Sequence, residues 1–199
     1  EKYFDASVQM QRKSKNSYFI SDTLSQKISE TKNSQGVFAV CKMKNENISL
    51  KTGQKYIALD NLQDPGNLGT VIRTAEALGI SSVIVGGGCD VFNPKVLRAS
   101  MGSVLRLDVF ECQSLAPVLQ KAKSLGIKTY ATSPDSSAKK INETQFPKSS
   151  LCVIGNEANG VSDEVLNICD ETVTIPMLGR AESLNAHVAG AIVMWEMLR

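Results

Sequence analysis

The sequence predicts an α/β protein with a mostly parallel sheet and helices on both faces, because three patterns coincide. From Gly53 onward, short apolar stretches alternate with stretches whose apolar residues recur at helical spacing. The apolar stretches are almost continuously hydrophobic, as in strands that are covered on both faces. Glycine or proline marks most of the boundaries. Residues 1–50 lack this alternation of apolar strands and helices. They are polar and supply too few apolar side chains for a core of their own.

Two elements are predicted in the N-terminal segment, residues 1–50. In "ISDTLSQKISET", Leu24 and Ile28 lie four residues apart, and Asp22 is of a type that caps helices, so the spacing predicts a short helix. The stretch "GVFAVCKM" predicts a strand. Residues 51–199 then form the main domain.

The main domain opens with a strand in "YIALD", a Pro65-Gly66 turn, and a helix from Leu68 to Leu78 that Gly79 ends. Asn67 is placed to cap that helix. The later elements alternate in the same way: strands in "SVIVGGG", "VLRLDVF", "IKTYAT", "LCVIG" and "TVTIP", and helices over "NPKVLRASMGS", residues 115–125, residues 162–168 and the last stretch, where Leu184, Val188, Ile192 and Trp195 share one face.

The bulk composition excludes several classes of protein. With 42% hydrophobic and 21% charged residues, the 199-residue chain does not resemble a disordered protein. A net charge of +2 gives no global field for a polyanion, so a nucleic-acid site must rest on a local basic face. No run approaches the roughly 20 apolar residues of a membrane-spanning helix, so we expect neither a membrane span nor a signal peptide.

The cysteines bear on location and metal binding. Five scattered cysteines without a C-x-x-C pair argue against a disulfide framework and against a zinc site. They fit reduced thiols, so we expect a cytoplasmic protein without a bound metal. The chain begins at Glu1 rather than at methionine, which leaves open whether residues precede it.

In parallel sheets ligands bind in the loops that follow the carboxyl ends of the strands. The first such loop, "DNLQDPGNLGTVIRTAEALG", contains Asn67 and Arg73, and taken alone it predicts a capped helix with an exposed arginine. Its glycines do not form G-x-G-x-x-G, so a dinucleotide fingerprint is absent.

A second loop, in "LCVIGNEANGVSDEVL", leads from a buried strand into Gly155 and Asn156 and reaches a helix capped by Ser162. Its glycines, which include Gly160, allow a ligand to approach the backbone closely. Glu157 places a carboxylate at the end of a strand, where such sheets keep functional groups. By itself the stretch is equally consistent with a tight strand-to-helix turn.

The third loop, in "IPMLGRAESLNAHVAGAIVMWEMLR", crowds polar side chains between a strand and a helix: Arg180, Glu182, Ser183, Asn185 and His187. One residue suffices to cap a helix, so the excess indicates a site for an anionic or polar ligand at the helix N-terminus. His187 is the only histidine, and we expect it to hydrogen-bond or pack within the helix rather than to bind a metal.

In this order, "NLQDPGNLGTVIRTAEALGI", "NPKVLRASMGSVLRL", "LCVIGNEANGVSDEVL" and "VTIPMLGRAESLNAHVAGAI" resemble the successive motifs of the SpoU (TrmH) family of RNA ribose 2′-O-methyltransferases, in the SPOUT superfamily. The resemblance covers residues 55–199. Residues 1–50 are loosely similar to the end of the L30e-like RNA-binding domain that often precedes this catalytic domain.

The resemblance implies methyl transfer from S-adenosylmethionine to a ribose 2′-hydroxyl of RNA, with 23S ribosomal RNA as the expected substrate. It assigns catalysis to Arg73, which would orient the hydroxyl rather than act as a base because arginine stays protonated. Four further residues are expected to assist Arg73: Asn67, Glu157, Ser183 and Asn185. The expected cofactor-binding residues are Thr132, Gly155, Asn156, Gly160, Ile175, Pro176, Met177 and Leu184.

The resemblance further implies a trefoil knot in the C-terminal part and a homodimer with active sites near the subunit interface. Met194 and Trp195 are candidates for that interface, although core packing explains them equally well. After the asparagine of the last motif the family usually has valine and a small residue, whereas this chain has Ala186 and His187. His187 either tunes substrate choice or packs, and packing is the favoured reading.

Other functions stay open at this point. Transfer RNA is the alternative substrate, and a catalytically silent RNA-binding homologue is the alternative function. An unrelated nucleotide-binding enzyme is disfavoured because phosphate-binding loops are missing. Contacts to RNA phosphates are expected from basic residues: Arg12, Lys13, Lys15, Lys42, Lys44, Lys95 and Arg98.

Overall fold

A computed structural model describes residues 17–29, 33–40 and 47–199. The chain divides into two compact units, residues 1–45 and 46–199. Most of the basic residues expected to contact RNA lie outside the described residues: Arg12, Lys13, Lys15, Lys42 and Lys44.

In the first unit, helix α1 (Asp22–Ile28) begins after Ser21, whose hydroxyl accepts the Leu24 N–H at 3.3 Å. The prediction of Asp22 as the N-cap is therefore wrong by one residue. Two capping residue types follow each other, and Asp22 instead lies in the first turn, where its charge favours the helix dipole.

The strand predicted for "GVFAVCKM" is also wrong where it can be observed. Residues 37–40 are not in a strand, and residues 41–43 lie outside the described part. Val37 and Val40 are exposed, and the described residues of the first unit contain no strand with which they pair. An apolar stretch without a pairing partner does not hold a strand in water.

The second unit is built on a seven-stranded sheet in which all neighbouring strands are parallel. The order across the sheet is β3-β2-β1-β6-β4-β7-β5. This confirms the predicted α/β class and the parallel sheet. The strands are β1 (Lys55–Asp60), β2 (Ser82–Gly86), β3 (Asp108–Cys112), β4 (Lys128–Thr132), β5 (Lys139–Lys140), β6 (Ser150–Ile154) and β7 (Glu171–Thr174).

Helices cover both faces of this sheet. They are α2 (Pro65–Leu78), α3 (Pro94–Ala99), α4 (Ala116–Ser124), α5 (Asp163–Ile168) and α6 (Ala186–Leu198), with 3₁₀ turns at Ser103–Leu105 and Ile141–Glu143. Alternate strand residues face opposite sides. Ile57 and Leu59 therefore pack in one core with α2, α3 and α6, whereas Tyr56 and Ala58 pack in the other with α4 and α5.

Helix α2 begins three residues earlier than predicted. Asp64 is its N-cap, because Asp64 Oδ1 accepts the Asn67 N–H at 2.7 Å. The prediction that Asn67 caps this helix is therefore wrong. Pro65 suits the first turn since it has no N–H to satisfy, and the missing turn is polar, so apolar periodicity did not reveal it.

The single strand predicted for "VLRLDVF" is two elements, a 3₁₀ turn and then β3. Ser103 Oγ and Arg106 Nε bind the carboxylate of Glu76 on α2, at 3.2 and 3.0 Å. These bonds hold residues 103–106 against α2, and the chain becomes extended only where it pairs with β2. The two-residue strand β5 lies in a stretch predicted as a loop.

The two residues proposed for a subunit interface lie on different sides of the last helix. Met194 is fully buried in the core, while Trp195 is 61% exposed. Helix α6 is apolar on nearly all sides, so periodicity alone does not identify its buried face. Lys55 Nζ donates to the carbonyl of Met197 and ties the end of α6 to the start of β1.

Candidate active site

A cleft of about 260 Å³ lies at the carboxyl ends of β4, β6 and β7. This is the edge at which parallel sheets bind ligands. Three loops, one after each of these strands, and the first turn of α6 form its walls. Nine of the residues predicted for the site line it: Thr132, Gly155, Asn156, Glu157, Gly160, Ile175, Met177, Ser183 and Leu184.

Gly155 determines the shape of the loop after β6. A Cβ atom at this position would lie 2.1 Å from the carbonyl carbon of Gly160 and 2.2 Å from the nitrogen of Val161. The backbones of Asn156 and Gly160 exchange two hydrogen bonds, of 2.9 and 3.0 Å. Because backbone occupies the space of a side chain, any other residue at 155 would force this loop open.

Glu157 connects the cleft to the segment that precedes and starts α2. Its carboxylate accepts from Asn67 Nδ2 at 2.8 Å and from the backbone N–H groups of Gln63 and Asp64 at 3.3 and 3.2 Å. Burial alone would raise the pKa of Glu157, but these donors outweigh it and lower the pKa. Glu157 is therefore held ionised and serves as an anchor.

Asn67 reaches the site from the first turn of α2. It is 7% exposed, and it does not line the cleft. Besides binding Glu157, its Oδ1 lies 3.0 Å from His187 Nδ1 on α6. Asn67 is thus a link between three segments of the chain.

Asn185 also stands next to the cleft rather than in its lining. It is the N-cap of α6, and its Oδ1 accepts the His187 N–H at 3.0 Å. The preceding residues 177–184 make no hydrogen bond to any other described residue. Their backbone N–H and C=O groups are therefore available to solvent or to a ligand in the cleft.

The charge of the cleft is one-sided. Glu157 and Glu182 are the ionisable groups of its lining, and among the described lining residues there is no lysine or arginine. Such a site attracts a cationic ligand and repels phosphate groups.

Two predicted residues are not brought to the cleft within one chain. Pro176 lies between two lining residues but does not line it. Arg73 is exposed on α2, six residues beyond Asn67, and its side chain makes no hydrogen bond or ion pair with another described residue. Six residues of helix correspond to a rotation of about 240° from Asn67, away from the side that faces Glu157.

The sequence also missed part of the lining: Ser133, Pro134, Ala158, Asn159, Thr174, Ala186 and Ala189. Ser133 and Pro134 lie in the loop after Ala131, which the rule on carboxyl ends predicts to be near the cofactor without naming these two residues. Nothing in the sequence indicates the backbone donors of Gln63 and Asp64.

In the described part of the chain no group of three metal-ligating side chains lies close enough to hold an ion, and no helix there is long and apolar enough to cross a membrane.

Comparison with known proteins identifies relatives over most of the chain. The SpoU rRNA Methylase family matches residues 54–195. The chain is 37% identical over 181 residues to the 23S rRNA (guanosine(2553)-2′-O)-methyltransferase RlmP of Bacillus subtilis (strain 168), covering 90% of this chain and 71% of the relative. It is 34% identical over 148 residues to the 23S rRNA (uridine(2479)-2′-O)-methyltransferase of Streptomyces viridochromogenes, covering 72% of this chain and 52% of that one.

A solved structure shows the same fold. The SpoU methyltransferase AviRb from Streptomyces viridochromogenes, in complex with AdoMet, has a TM-score of 0.68 and 33% identity over 75% of this chain and 61% of AviRb. The chain therefore spans between 52% and 71% of the length of these relatives. The matched region begins at the first strand of the sheet and ends in its last helix, and the chain belongs to the SpoU rRNA methylase family.

Proposed function

We propose that this chain transfers the methyl group of S-adenosylmethionine to a ribose 2′-hydroxyl of RNA, with 23S ribosomal RNA as the substrate. The observation that carries the proposal is the charge of the cleft, which has two carboxylates and, in its described lining, no lysine or arginine. A sulfonium cation suits such a site, whereas the phosphates of a nucleotide cofactor do not. The relatives named above supply the reaction and the class of RNA.

The remaining walls fit the uncharged parts of this cofactor. Ile154, Ile175 and Leu184 offer apolar surface, and Gly155 leaves the backbone open to close approach. The unpaired backbone groups of residues 177–184 are of the kind that bind an adenine edge. We assign cofactor binding to these positions together with Thr132, Asn156, Gly160, Pro176 and Met177.

When bound, S-adenosylmethionine would supply a methyl group: a bond from its methyl carbon to the 2′-oxygen would form as the carbon–sulfur bond breaks, S-adenosylhomocysteine would leave, and the hydroxyl proton would pass to water. Arginine side chains stay protonated in proteins, so we assign to Arg73 the orientation of the hydroxyl and the stabilisation of the developing alkoxide. Ser183, on the cleft wall, donates to or accepts from the same hydroxyl. We do not assign Glu157 as the proton acceptor, because its hydrogen-bond donors lower its pKa and make it a weak base.

We include a homodimer with active sites near the subunit interface in this proposal. Arg73 is exposed and stands outside the cleft of its own chain. A second copy that brings its Arg73 to this cleft would complete the site. The exposed Trp195 on α6 supports an apolar contact between two copies.

The proposal extends to three further properties, of which the family resemblance implies the first two. The first is a trefoil knot in the C-terminal part, supported by the position of β6 between β1 and β4. The second is an L30e-like character of residues 1–50. The third is a cytoplasmic location, supported by free thiols at Cys89, Cys112, Cys152 and Cys169.

Lys95 and Arg98, on the short helix α3, are proposed phosphate contacts within the described residues. An electrostatic grip of this kind weakens as salt rises. Replacing Lys95 with alanine should lower RNA affinity and reduce the slope of log affinity against log salt by about 0.7 for single-stranded RNA.

The function is tested by incubating the protein with total RNA and methyl-labelled S-adenosylmethionine. We expect the label in 23S ribosomal RNA. Label in transfer RNA instead would replace the proposed substrate. Binding of the cofactor without label in any RNA would support the silent homologue, and absence of cofactor binding by the folded protein would overturn the proposal.

A further inference from the structure

His187, the only histidine of the chain, is joined to the cleft through two side-chain hydrogen bonds. Its Nδ1 lies 3.0 Å from Asn67 Oδ1, and Nδ2 of the same Asn67 donates to Glu157 Oε1 at 2.8 Å. Glu157 lines the cleft, whereas His187 does not. The first turn of α6 is thus connected to the loop after β6 through one residue of α2.

The positions of the hydrogens along this connection follow from the carboxylate. Glu157 accepts three hydrogen bonds, and an ionised carboxylate has no hydrogen to give. Asn67 must therefore present its NH₂ group to Glu157 and its Oδ1 to His187. An amide oxygen only accepts, so His187 Nδ1 must carry the hydrogen, and in the neutral ring Nε2 carries none.

A backbone hydrogen bond keeps His187 in place, and the burial of Asn67 makes the ring contact necessary. The backbone N–H of His187 donates to Asn185 Oδ1 at 3.0 Å, which fixes this residue at the start of α6. Asn67 is 7% exposed, so its Oδ1 would be a largely buried acceptor without a side-chain partner if His187 lacked a donor. Such a group carries the full cost of its desolvation, and the amide would turn or shift to regain a partner.

A turn of the Asn67 amide changes the cleft. The turned amide would direct its oxygen at Glu157, and two acceptors that face each other repel. Glu157 belongs to the loop that contains Gly155 and Gly160, and this loop lines the cleft. The shape of the cleft therefore depends on a donor that stands outside it.

We propose that His187 is a positioning residue for the cofactor cleft, because its Nδ1–H holds the Asn67 amide against Glu157 and so maintains the loop after β6. The hydrogen-bonded connection stands on the geometry alone, and its effect on S-adenosylmethionine rests on the proposed function. The role transfers no proton and does not require Nε2.

The hydrogen positions are tested by ¹⁵N NMR of the histidine ring in the full chain without cofactor. A single histidine gives an unambiguous signal. We expect the neutral ring to carry its hydrogen on Nδ1, and we expect Asn67→Ala to abolish this preference. A ring protonated at Nε2 in the unaltered chain would overturn the proposal.

The effect on the cleft is tested with a matched pair of variants. His187→Asn places an amide NH₂ at the same distance along the side chain as Nδ1, whereas His187→Leu has similar bulk and no donor. We expect His187→Leu to weaken S-adenosylmethionine binding about tenfold, and His187→Asn to remain within about twofold of the unaltered chain, since only the former leaves Asn67 Oδ1 unpaired. Thermal unfolding of both variants confirms that the folded proteins are compared.

Two results would contradict the positioning role. Equal affinity in His187→Leu and in the unaltered chain would show that the donor is not needed. Equal loss in both variants would show that the ring matters for another reason. If the unaltered chain does not bind S-adenosylmethionine, the proposed function fails, and the NMR measurement still decides whether His187 holds Asn67.

Discussion

The loops at the carboxyl edge of the sheet differ between its two halves. In the closed half, after β1, β2 and β3, the loops are tied to each other by backbone hydrogen bonds: Asn61 N to Gly86 O at 2.8 Å, Gly87 N to Cys112 O at 3.0 Å and Cys89 N to Leu62 O at 2.9 Å. In the open half, after β4, β6 and β7, the loops surround the cleft. Residues 177–184 make no hydrogen bond to another described residue.

The difference shows that the carboxyl edge is not a binding site by topology alone. Both halves have parallel strands that end at the same edge. In the closed half these hydrogen bonds pair backbone groups of the loops with one another, so fewer of them remain for a ligand than in the open half. The open half keeps such groups free and adds two carboxylates, and this combination selects the ligand.

The largest effect should come from Arg73, which lies on the helix after β1 and outside the cleft. Arg73→Ala should lower kcat of methyl transfer by about 100- to 1000-fold, because a donor that stabilises the developing charge is lost. Affinity for S-adenosylmethionine should stay unchanged. Arg73→Lys keeps the charge but loses the planar set of donors, so we expect a smaller loss. Normal transfer by Arg73→Ala would remove Arg73 from the mechanism.

A pair of glycine variants tests the two halves directly. A Cβ at Gly155 would lie 2.1 Å from Gly160, and a Cβ at Gly88 would lie 2.2 Å from the carbonyl oxygen of Leu62. Each alanine variant should therefore lose about 1–3 kcal/mol of unfolding free energy. At a temperature where both are folded, calorimetry should show roughly 100-fold weaker S-adenosylmethionine binding for Gly155→Ala. Similar affinities in both variants would mean that the loop after β6 does not shape the site.

A smaller effect is expected from the exposed carboxylate of the open half. Glu182→Gln should weaken binding of S-adenosylmethionine about threefold, and it should leave binding of the product S-adenosylhomocysteine unchanged, because the sulfonium charge is the one charge that the two ligands do not share. The matched control is Glu111→Gln in the closed half, where Oε1 accepts the Val91 N–H at 3.1 Å. Equal losses for both ligands would indicate that Glu182 acts by contact rather than by charge.

The smallest effect concerns stability in acid. The pKa of Glu157 is lower in the folded chain than its ordinary value of 4.5, because its hydrogen-bond donors outweigh burial. Its ionised form therefore stabilises the fold above about pH 4.5, and this contribution, no more than about 1 kcal/mol, is lost as pH falls through the folded-state pKa. Glu157→Gln should flatten this part of the pH dependence, as measured by urea unfolding.

Asp170 provides the control for this measurement at the amino edge of the sheet. Burial would raise the pKa of Asp170, but donors from Thr129 and Lys123 outweigh it and lower the pKa. Asp170→Asn should therefore also flatten the pH dependence of the unfolding free energy in acid, as Glu157→Gln does, and it should leave the affinity for the cofactor unaltered. A change of affinity in this variant would argue against the separation of the two edges.

The fold was predictable because strands that are buried on both faces have an apolar pattern that hardly depends on distant residues. The first residues of the helices were harder to predict. Two residues of a capping type stand near each start, Ser21 and Asp22 at one helix and Asp64 and Asn67 at another, and only the folded backbone decides which of them is the cap. The position of the cleft agrees with the sequence prediction from Gly155 and Glu157 at the end of a strand. The link from Asn67 to His187 could not be predicted, because it joins residues 120 positions apart and depends on how α2 packs on α6.

Arg73 marks the opposite limit. Its role came from the order of motifs, and the structure of one chain does not bring it to the cleft. If Arg73 acts across a subunit interface, as we propose, a single copy of the chain does not show its place in the site.

The most direct measurement identifies the atom that accepts the methyl group. After reaction of 23S ribosomal RNA with methyl-labelled S-adenosylmethionine, digestion to nucleosides should yield a labelled 2′-O-methylnucleoside, and Arg73→Ala should remove it. Label on a base, or no label while the protein still binds the cofactor, would contradict the assignment of the cleft to ribose methylation.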